Sequence, residues 1–259
     1  MKKIISFVIR KIPRKYLQLV SPLAMTWFTV WYKGTKYYCP IDGRGYRKLL
    51  PYGRIDPREN ALAPGSLSLE RHRLLWLYLK RNTSFFQDKL RFLHVAPEHC
   101  FLKPFESQHK EGYITGDIES PLAKIKMDVH KIPFENNYFD AAMCNHVMEH
   151  VDSDIKAFSE FFRVIRPGGW AIFQVPFFYP IPEITEEDPN VTSPAERERL
   201  YGQDDHVRKY GRDYADRIRS VGFEVTEDHF ASSLTKEEIS KFALPENEVI
   251  YFARKPLDK

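Results

Sequence analysis

Between Arg91 and Val175 the chain alternates short apolar runs, each closing on a polar residue, with stretches of helical periodicity. The runs cover residues 92–95, 113–117, 125–127, 138–144 and 170–175. This alternation buries both faces of a sheet when the strands run parallel and helices cross over them. The pattern therefore predicts an α/β fold, a Rossmann-like doubly wound sheet. Such sheets bind ligands outside the carboxyl ends of their strands. Asp117, Asp128 and Asn145 stand at three of those ends.

The first turn is formed by His94, Val95, Ala96, Pro97 and Glu98. Nucleotide-binding folds place glycines here because backbone must approach the ligand closely, yet no glycine lies between Arg91 and Glu111. Ala96 is small enough for a fairly close approach, and Pro97 fixes φ and removes a donor. Glu98 suits the first turn of the following helix and could also meet a cationic ligand. Asp117, 23 residues after His94 and followed by Ile118, has the spacing of an acid that accepts from both ribose hydroxyls. A turn or helix-cap aspartate is the other reading. Asp128, with the Val129 backbone beside it, could accept from the exocyclic amine of an adenine. His146, Glu149 and His150 match an H-x-x-E-H zinc-protease pattern. That pattern needs one helix and a further ligand, whereas here it straddles a strand end and the start of a loop. No metal is expected.

The remaining segments suggest three divisions: a basic arm over 1–36, a loop-rich module over 37–67, and a catalytic domain over 68–259 with an insertion at 176–210. The net charge of +4 hides an asymmetry, because residues 1–41 hold eight of the 39 Lys and Arg and no acid, leaving 31 basic against 35 acidic residues elsewhere. Residues 2–12 fit an amphipathic helix, ended by Pro13. Residues 2–32 could pack on the protein itself or rest on a membrane surface; no stretch is long and apolar enough to span one, and no cleavable signal is expected. Three scattered cysteines point to a reducing cytoplasm and not to a disulfide scaffold. Cys39, Asp42, Ala63 and Ser66 fall where a zinc ribbon puts its four thiolates, so the module reads as ribbon-shaped without zinc. Residues 68–82 predict a helix capped by Ser68 that covers one face of the sheet, with Arg71, His72 and Arg73 solvated or capping.

Four motifs then stand together: Asp128 to Phe134, Phe139 to Ala142, Asn145 to His150, and Arg163 to Gly169. With them the chain resembles class I S-adenosylmethionine-dependent methyltransferases over residues 88–254. It is most similar to a bacterial subgroup with H-x-A-P-E at the first turn, a cysteine-bearing module ahead of it, and a later segment like Tyr201 to Arg208. The resemblance implies a seven-stranded sheet whose last strands, 223–229 and 249–254, form an antiparallel hairpin. It also implies S-adenosylmethionine as cofactor, held at His94, Ala96, Pro97 and Glu98, at Asp117 and Ile118, at Asp128 and Val129, and at Asn145 and His146 near its methionine part.

Methyl transfer from a sulfonium asks the protein chiefly for alignment and exclusion of water, and for a base only when the acceptor must lose a proton. The insertion over the strand ends suits a lid and acceptor pocket. Within it His206 is the candidate base, with Asp204 or Asp205 orienting it and Arg208 holding an anionic group; His150 is an alternative. The expected acceptor is a small molecule, a sugar or a lipid-linked precursor. RNA methylation and a catalytically silent cofactor-binding scaffold are the other readings, but the acidic body lacks the clustered Lys and Arg of a phosphate-tracking surface.

Overall fold

A computed structural model describes residues 25, 27–53 and 57–257, so the amphipathic pattern over 2–12 lies outside the described residues. The chain forms two compact units. Among the described residues, one comprises those up to 87 with 98–105 and 229–248, the other 88–97, 106–228 and 249–257. The division therefore does not fall at residue 67: the predicted helix after it joins the hairpin module.

The second unit is built on a seven-stranded sheet: β1 (Phe92–Val95), β2 (Tyr113–Asp117), β3 (Ile125–Lys126), β4 (Phe139–Asn145), β5 (Ile165–Gln174), β6 (Glu224–Asp228) and β7 (Ile250–Arg254). Their order across the sheet is β6-β7-β5-β4-β1-β2-β3. Strands β1 to β5 are mutually parallel, and β7 runs antiparallel to both β5 and β6. All four residues of β1 are buried, and β4 is buried apart from Asp140, as expected of central strands covered on both faces. After β1 the chain builds one half of the sheet, then returns to β4 for the other. The ends of β1 and β4 thus form the switch point at which doubly wound sheets open a crevice.

Helix α1 (His99–His109) follows β1 and helix α2 (Asp154–Val164) follows β4. Ser153 caps α2 by accepting from the Lys156 N–H at 3.3 Å. The helix buries Ala157, Phe158, Phe161 and Val164, with Phe158 and Phe161 both meeting the Phe173 ring edge-on at 5.1 Å. Just past the end of β7 the buried Lys255 ammonium donates to Asn137 Oδ1 and to the Phe162 and Ile165 carbonyls at 2.7–2.8 Å.

The first unit holds two small hairpins, Lys33–Cys39 with Arg44–Tyr46 and Leu50–Tyr52 with Arg58–Leu62, and the helix Glu70–Asn82. Cys39 and Ala63 share a buried cluster with Tyr46 and Leu49. Where a ribbon would gather thiolates, Cys39 Sγ meets the hydroxyls of Ser66 at 3.3 Å and Ser68 at 3.4 Å, while Asp42 accepts from Tyr46. Burial pushes the Cys39 thiol up, which keeps it protonated. Ser68 is therefore not the cap of the helix; His72 Nδ1 accepts from the Leu69 N–H at 3.1 Å instead. Arg73 is not solvated either: it is wholly buried and donates to the carbonyls of Ala61, Ser68, Phe242 and Ala243.

One buried histidine makes the second unit sensitive to acid. His109 Nδ1, at the end of α1, accepts from the Leu90 N–H at 3.2 Å, and burial, followed by the nearby Lys89, depresses its pKa to about 4. The unfolded chain, titrating near 6.5, binds the proton first. Stability should be full above about pH 6.5 and decline as pH falls toward 4. His109→Gln still offers an acceptor but does not titrate. Urea denaturation between pH 4 and 7 should show a flatter profile for that variant than for wild type.

Candidate active site

The turn after β1 keeps a glycine-like backbone without glycine. Ala96 has φ +50°, the left-handed conformation that costs an ordinary residue about 1–2 kcal/mol. Its N–H donates to the Gly116 carbonyl at 3.0 Å, fixing the turn against the end of β2. Pro97 is buried beside it. His94 is placed otherwise than expected. Its side chain is buried within β1, with Nδ1 2.7 Å from the Tyr113 hydroxyl, so the imidazole belongs to the core. Glu98 directly precedes α1 and falls in the first unit, where it lies 3.8 Å from His72 Nε2.

Asp117 ends β2, and Lys126 of β3 is its register partner. Its Oδ1 accepts from the backbone N–H groups of Glu119 at 2.7 Å and Ser120 at 2.6 Å, which orients the carboxylate as a turn aspartate. Ile118 beside it is exposed. Asp128, just past β3, accepts through Oδ1 from the His130 N–H and lies 2.9 Å from His130 Nδ1. These contacts hold its carboxyl below the usual carboxylate range. Val129 is buried next to it.

At the end of β4 the chain turns sharply. Asn145 is buried opposite Gln174. His146 adopts φ +54°, and its N–H donates to the Gln174 carbonyl at 2.7 Å. Glu149 follows, only 1% exposed. Its Oε1 lies 3.4 Å from His146 Nδ1 and 4.0 Å from His150 Nε2, while Oε2 has no hydrogen-bond partner among the described residues.

The insertion brings a third group to this carboxylate. Helix α3 (Pro194–Tyr201) starts at Ser193 and ends at Gly202, whose φ of +88° reverses the chain. His206 is 1% exposed, and its Nδ1 donates to the Tyr201 carbonyl at 3.0 Å. Burial lowers its pKa and so favours a neutral ring, with the lone pair on Nε2. His150 and His206 meet edge to face, their centroids 4.8 Å apart, and Phe178 packs 5.8 Å from His206. Donor atoms of Glu149, His150 and His206 all lie within 4.8 Å of one another. The sequence reading, which expected no metal and lacked a further ligand for H-x-x-E-H, missed this convergence. Glu149 itself carried one signal, an acid set in the apolar Val147-Met148 stretch just past a strand end.

Two expectations change with this geometry. Asp205 does not orient His206; its carbonyl accepts from His150 Nδ1 at 3.2 Å, and its carboxylate lies 3.5 Å from the same atom. Arg208 is not available to an anionic acceptor. Its buried guanidinium donates to the carbonyls of Met148 at 2.5 Å, Val151 at 2.7 Å and Asp152 at 3.1 Å, and pairs with Glu187 at 2.7 Å. It clamps the insertion to the loop after β4. Tyr210 adds bonds to the Met148 carbonyl and Asp154, and Arg217 joins Asp154 to Glu187.

Residues 106–173 match the family described as a methyltransferase domain. Among similar solved structures is an S-adenosylmethionine-dependent methyltransferase from Mesorhizobium loti, 16% identical, covering 70% of this chain and 98% of that chain with a TM-score of 0.48. The YcgJ protein from Bacillus subtilis is 14% identical over 72% of this chain and 100% of that chain, TM-score 0.47. The [4+2]-cyclase SpnF is 15% identical over 94% of this chain and 95% of that chain, TM-score 0.45. No curated protein matches the chain.

The clamp can be tested directly. Lysine at position 208 keeps the charge but loses the planar fork that meets several carbonyls at once. Arg208→Lys should lose about 2–4 kcal/mol of stability, measured by chemical denaturation.

Proposed function

We propose that this chain, residues 106–173 of which match a methyltransferase domain, is an S-adenosylmethionine-dependent methyltransferase that acts on a small-molecule, sugar or lipid-linked acceptor. The observation that carries this reading is the left-handed Ala96 turn with Asp117 and Asp128 at the two neighbouring strand ends. Asp117 is the acceptor for the cofactor's ribose hydroxyls, with Ile118 alongside. Asp128 and the Val129 backbone serve its adenine, and Asn145 and His146 its methionine end. Bound there, the cofactor supplies an electrophilic methyl on a sulfonium, which needs an aligned nucleophile and little else.

The Glu149, His150 and His206 cluster is the group that prepares the acceptor. His206, the candidate base in the sequence, sits in it with a neutral ring, and its isolation from water supports a role in handling a proton or an acceptor oxygen. Arg208 serves this site only by holding the loop that carries Glu149.

Calorimetric titration with S-adenosylmethionine and its demethylated product tests the cofactor site. Asp117→Ala removes charge-assisted hydrogen bonds and should weaken binding about 10- to 100-fold. A folded wild-type protein that binds neither compound would sink the reading.

A lipid-linked acceptor draws support from the start of the first unit. Trp27, Val30 and Trp31 are 63%, 75% and 58% exposed. The two indoles stack at 5.4 Å, and the Arg47 guanidinium lies 5.6 Å from the Trp31 ring centre. Amphipathic indoles beside cations suit a membrane–water interface, and the arm ahead of them is basic. Among the described residues no helix is long and apolar enough to cross a membrane. Co-sedimentation should therefore show binding to anionic vesicles that falls with salt and is weakened by Trp27→Ala with Trp31→Ala. Equal recovery of wild type and double variant would count against it.

A further inference from the structure

We propose that Glu149, His150 and His206 form a binding site for one divalent transition-metal cation. The three side chains offer a carboxylate and two imidazoles whose donor atoms already lie within 4.8 Å of one another. A metal bound at 2.0–2.2 Å needs ligand atoms about 3.3–3.6 Å apart. The widest gap thus closes by a little over an ångström, a shift within reach of the His150 side chain at the rim of the cluster.

Three further observations point to a cation. Each imidazole has its Nδ1–H tied to a backbone carbonyl, His206 to Tyr201 at 3.0 Å and His150 to Asp205 at 3.2 Å. That arrangement sets the tautomer with the lone pair on Nε2, which is how proteins commonly orient metal-binding histidines. His206 Nε2 and Glu149 Oε2 are both buried and have no hydrogen-bond partner among the described residues. A buried carboxylate in that condition is costly unless a positive charge compensates it. Glu149 is also braced at the other oxygen by His146, and its carbonyl accepts from the Val207 N–H at 2.9 Å.

The donor set predicts which ion binds. Two imidazoles and one carboxylate suit zinc, iron(II) or cobalt(II), whereas magnesium and calcium prefer all-oxygen sites. Three protein ligands leave a coordination position open, as in catalytic and not structural zinc sites. The Lewis-acid role that follows, polarising an oxygen of the methyl acceptor, rests on the methyltransferase reading; cation binding itself does not.

The test uses the full chain stripped of metal with a chelator, titrated calorimetrically with Zn²⁺ and followed by the visible absorption of Co²⁺. One equivalent should bind at micromolar or tighter affinity. His206→Gln, Glu149→Gln and His150→Gln should each weaken binding at least 10-fold, with circular dichroism showing that each variant folds. His99→Gln, an exposed histidine of the other unit, should leave affinity unchanged. No stoichiometric binding by folded wild type overturns the site, as does binding that survives all three substitutions or equal affinity for Mg²⁺. Titrating the same samples with S-adenosylmethionine separates the two claims. Cofactor binding without metal binding removes the metal site alone, and metal binding without cofactor binding leaves the metal site and removes the methyltransferase reading.

Discussion

The candidate site depends on one buried cation. Arg208 donates to three carbonyls of the loop after β4 and pairs with Glu187, joining two segments some 60 residues apart in the chain. Carbonyls released by a turn need donors, and a guanidinium presents five of them in a rigid fork. The loop from Met148 to Asp152 is thereby held without regular structure of its own, and it is this loop that carries Glu149 and His150. The insertion that supplies Arg208 also supplies His206, so a single anchoring interaction brings carboxylate and imidazoles together. Tyr210, Asp154 and Arg217 extend it into a network, which makes it a stiff mounting and not a mobile lid contact.

The cofactor side of the site is organised differently, by strand ends and backbone. Ala96 holds a conformation that glycine usually supplies, and its hydrogen bond to Gly116 locks the turn onto the neighbouring strand. An alanine there costs some backbone strain, which that hydrogen bond helps to hold. Asp117 and Asp128 each use one oxygen to bind nearby backbone N–H groups. The turn reading and the ligand reading of these residues are therefore compatible, since a carboxylate fixed through one oxygen presents the other in a defined direction.

In the first unit, buried hydrogen bonds hold irregular loops together. Cys39, Ser66 and Ser68 form a chain of weak hydrogen bonds, and Asp42 accepts from Tyr46. Arg73 supplies the cohesion, satisfying four carbonyls from well-separated segments. In both units a buried arginine gathers irregular backbone, which is the usual answer to loops that must be packed without a ladder of their own.

Much of the sheet was legible in the sequence because its signals are local. Periodicity marked β1 to β5, although β5 begins at Ile165 and not at Trp170, and the polar residues closing the second, third and fourth runs placed Asp117, Asp128 and Asn145 at strand ends. The terminal hairpin came from the family resemblance, within one residue at each end. What the sequence could not show was the direction of individual side chains. His94 looked like a turn residue but faces Tyr113 in the core; Arg73 and Arg208 looked solvated or ligand-binding but are buried anchors; Asp205 looked like the partner of His206 but lies against His150. The meeting of Glu149, His150 and His206 is likewise a product of tertiary packing. The sequence by itself determined the alternation of strands and helices, because burial on one face or two is written in residue spacing. Only the three-dimensional packing decided which polar groups end up paired, since that depends on which distant carbonyls and carboxylates the fold brings within hydrogen-bonding distance.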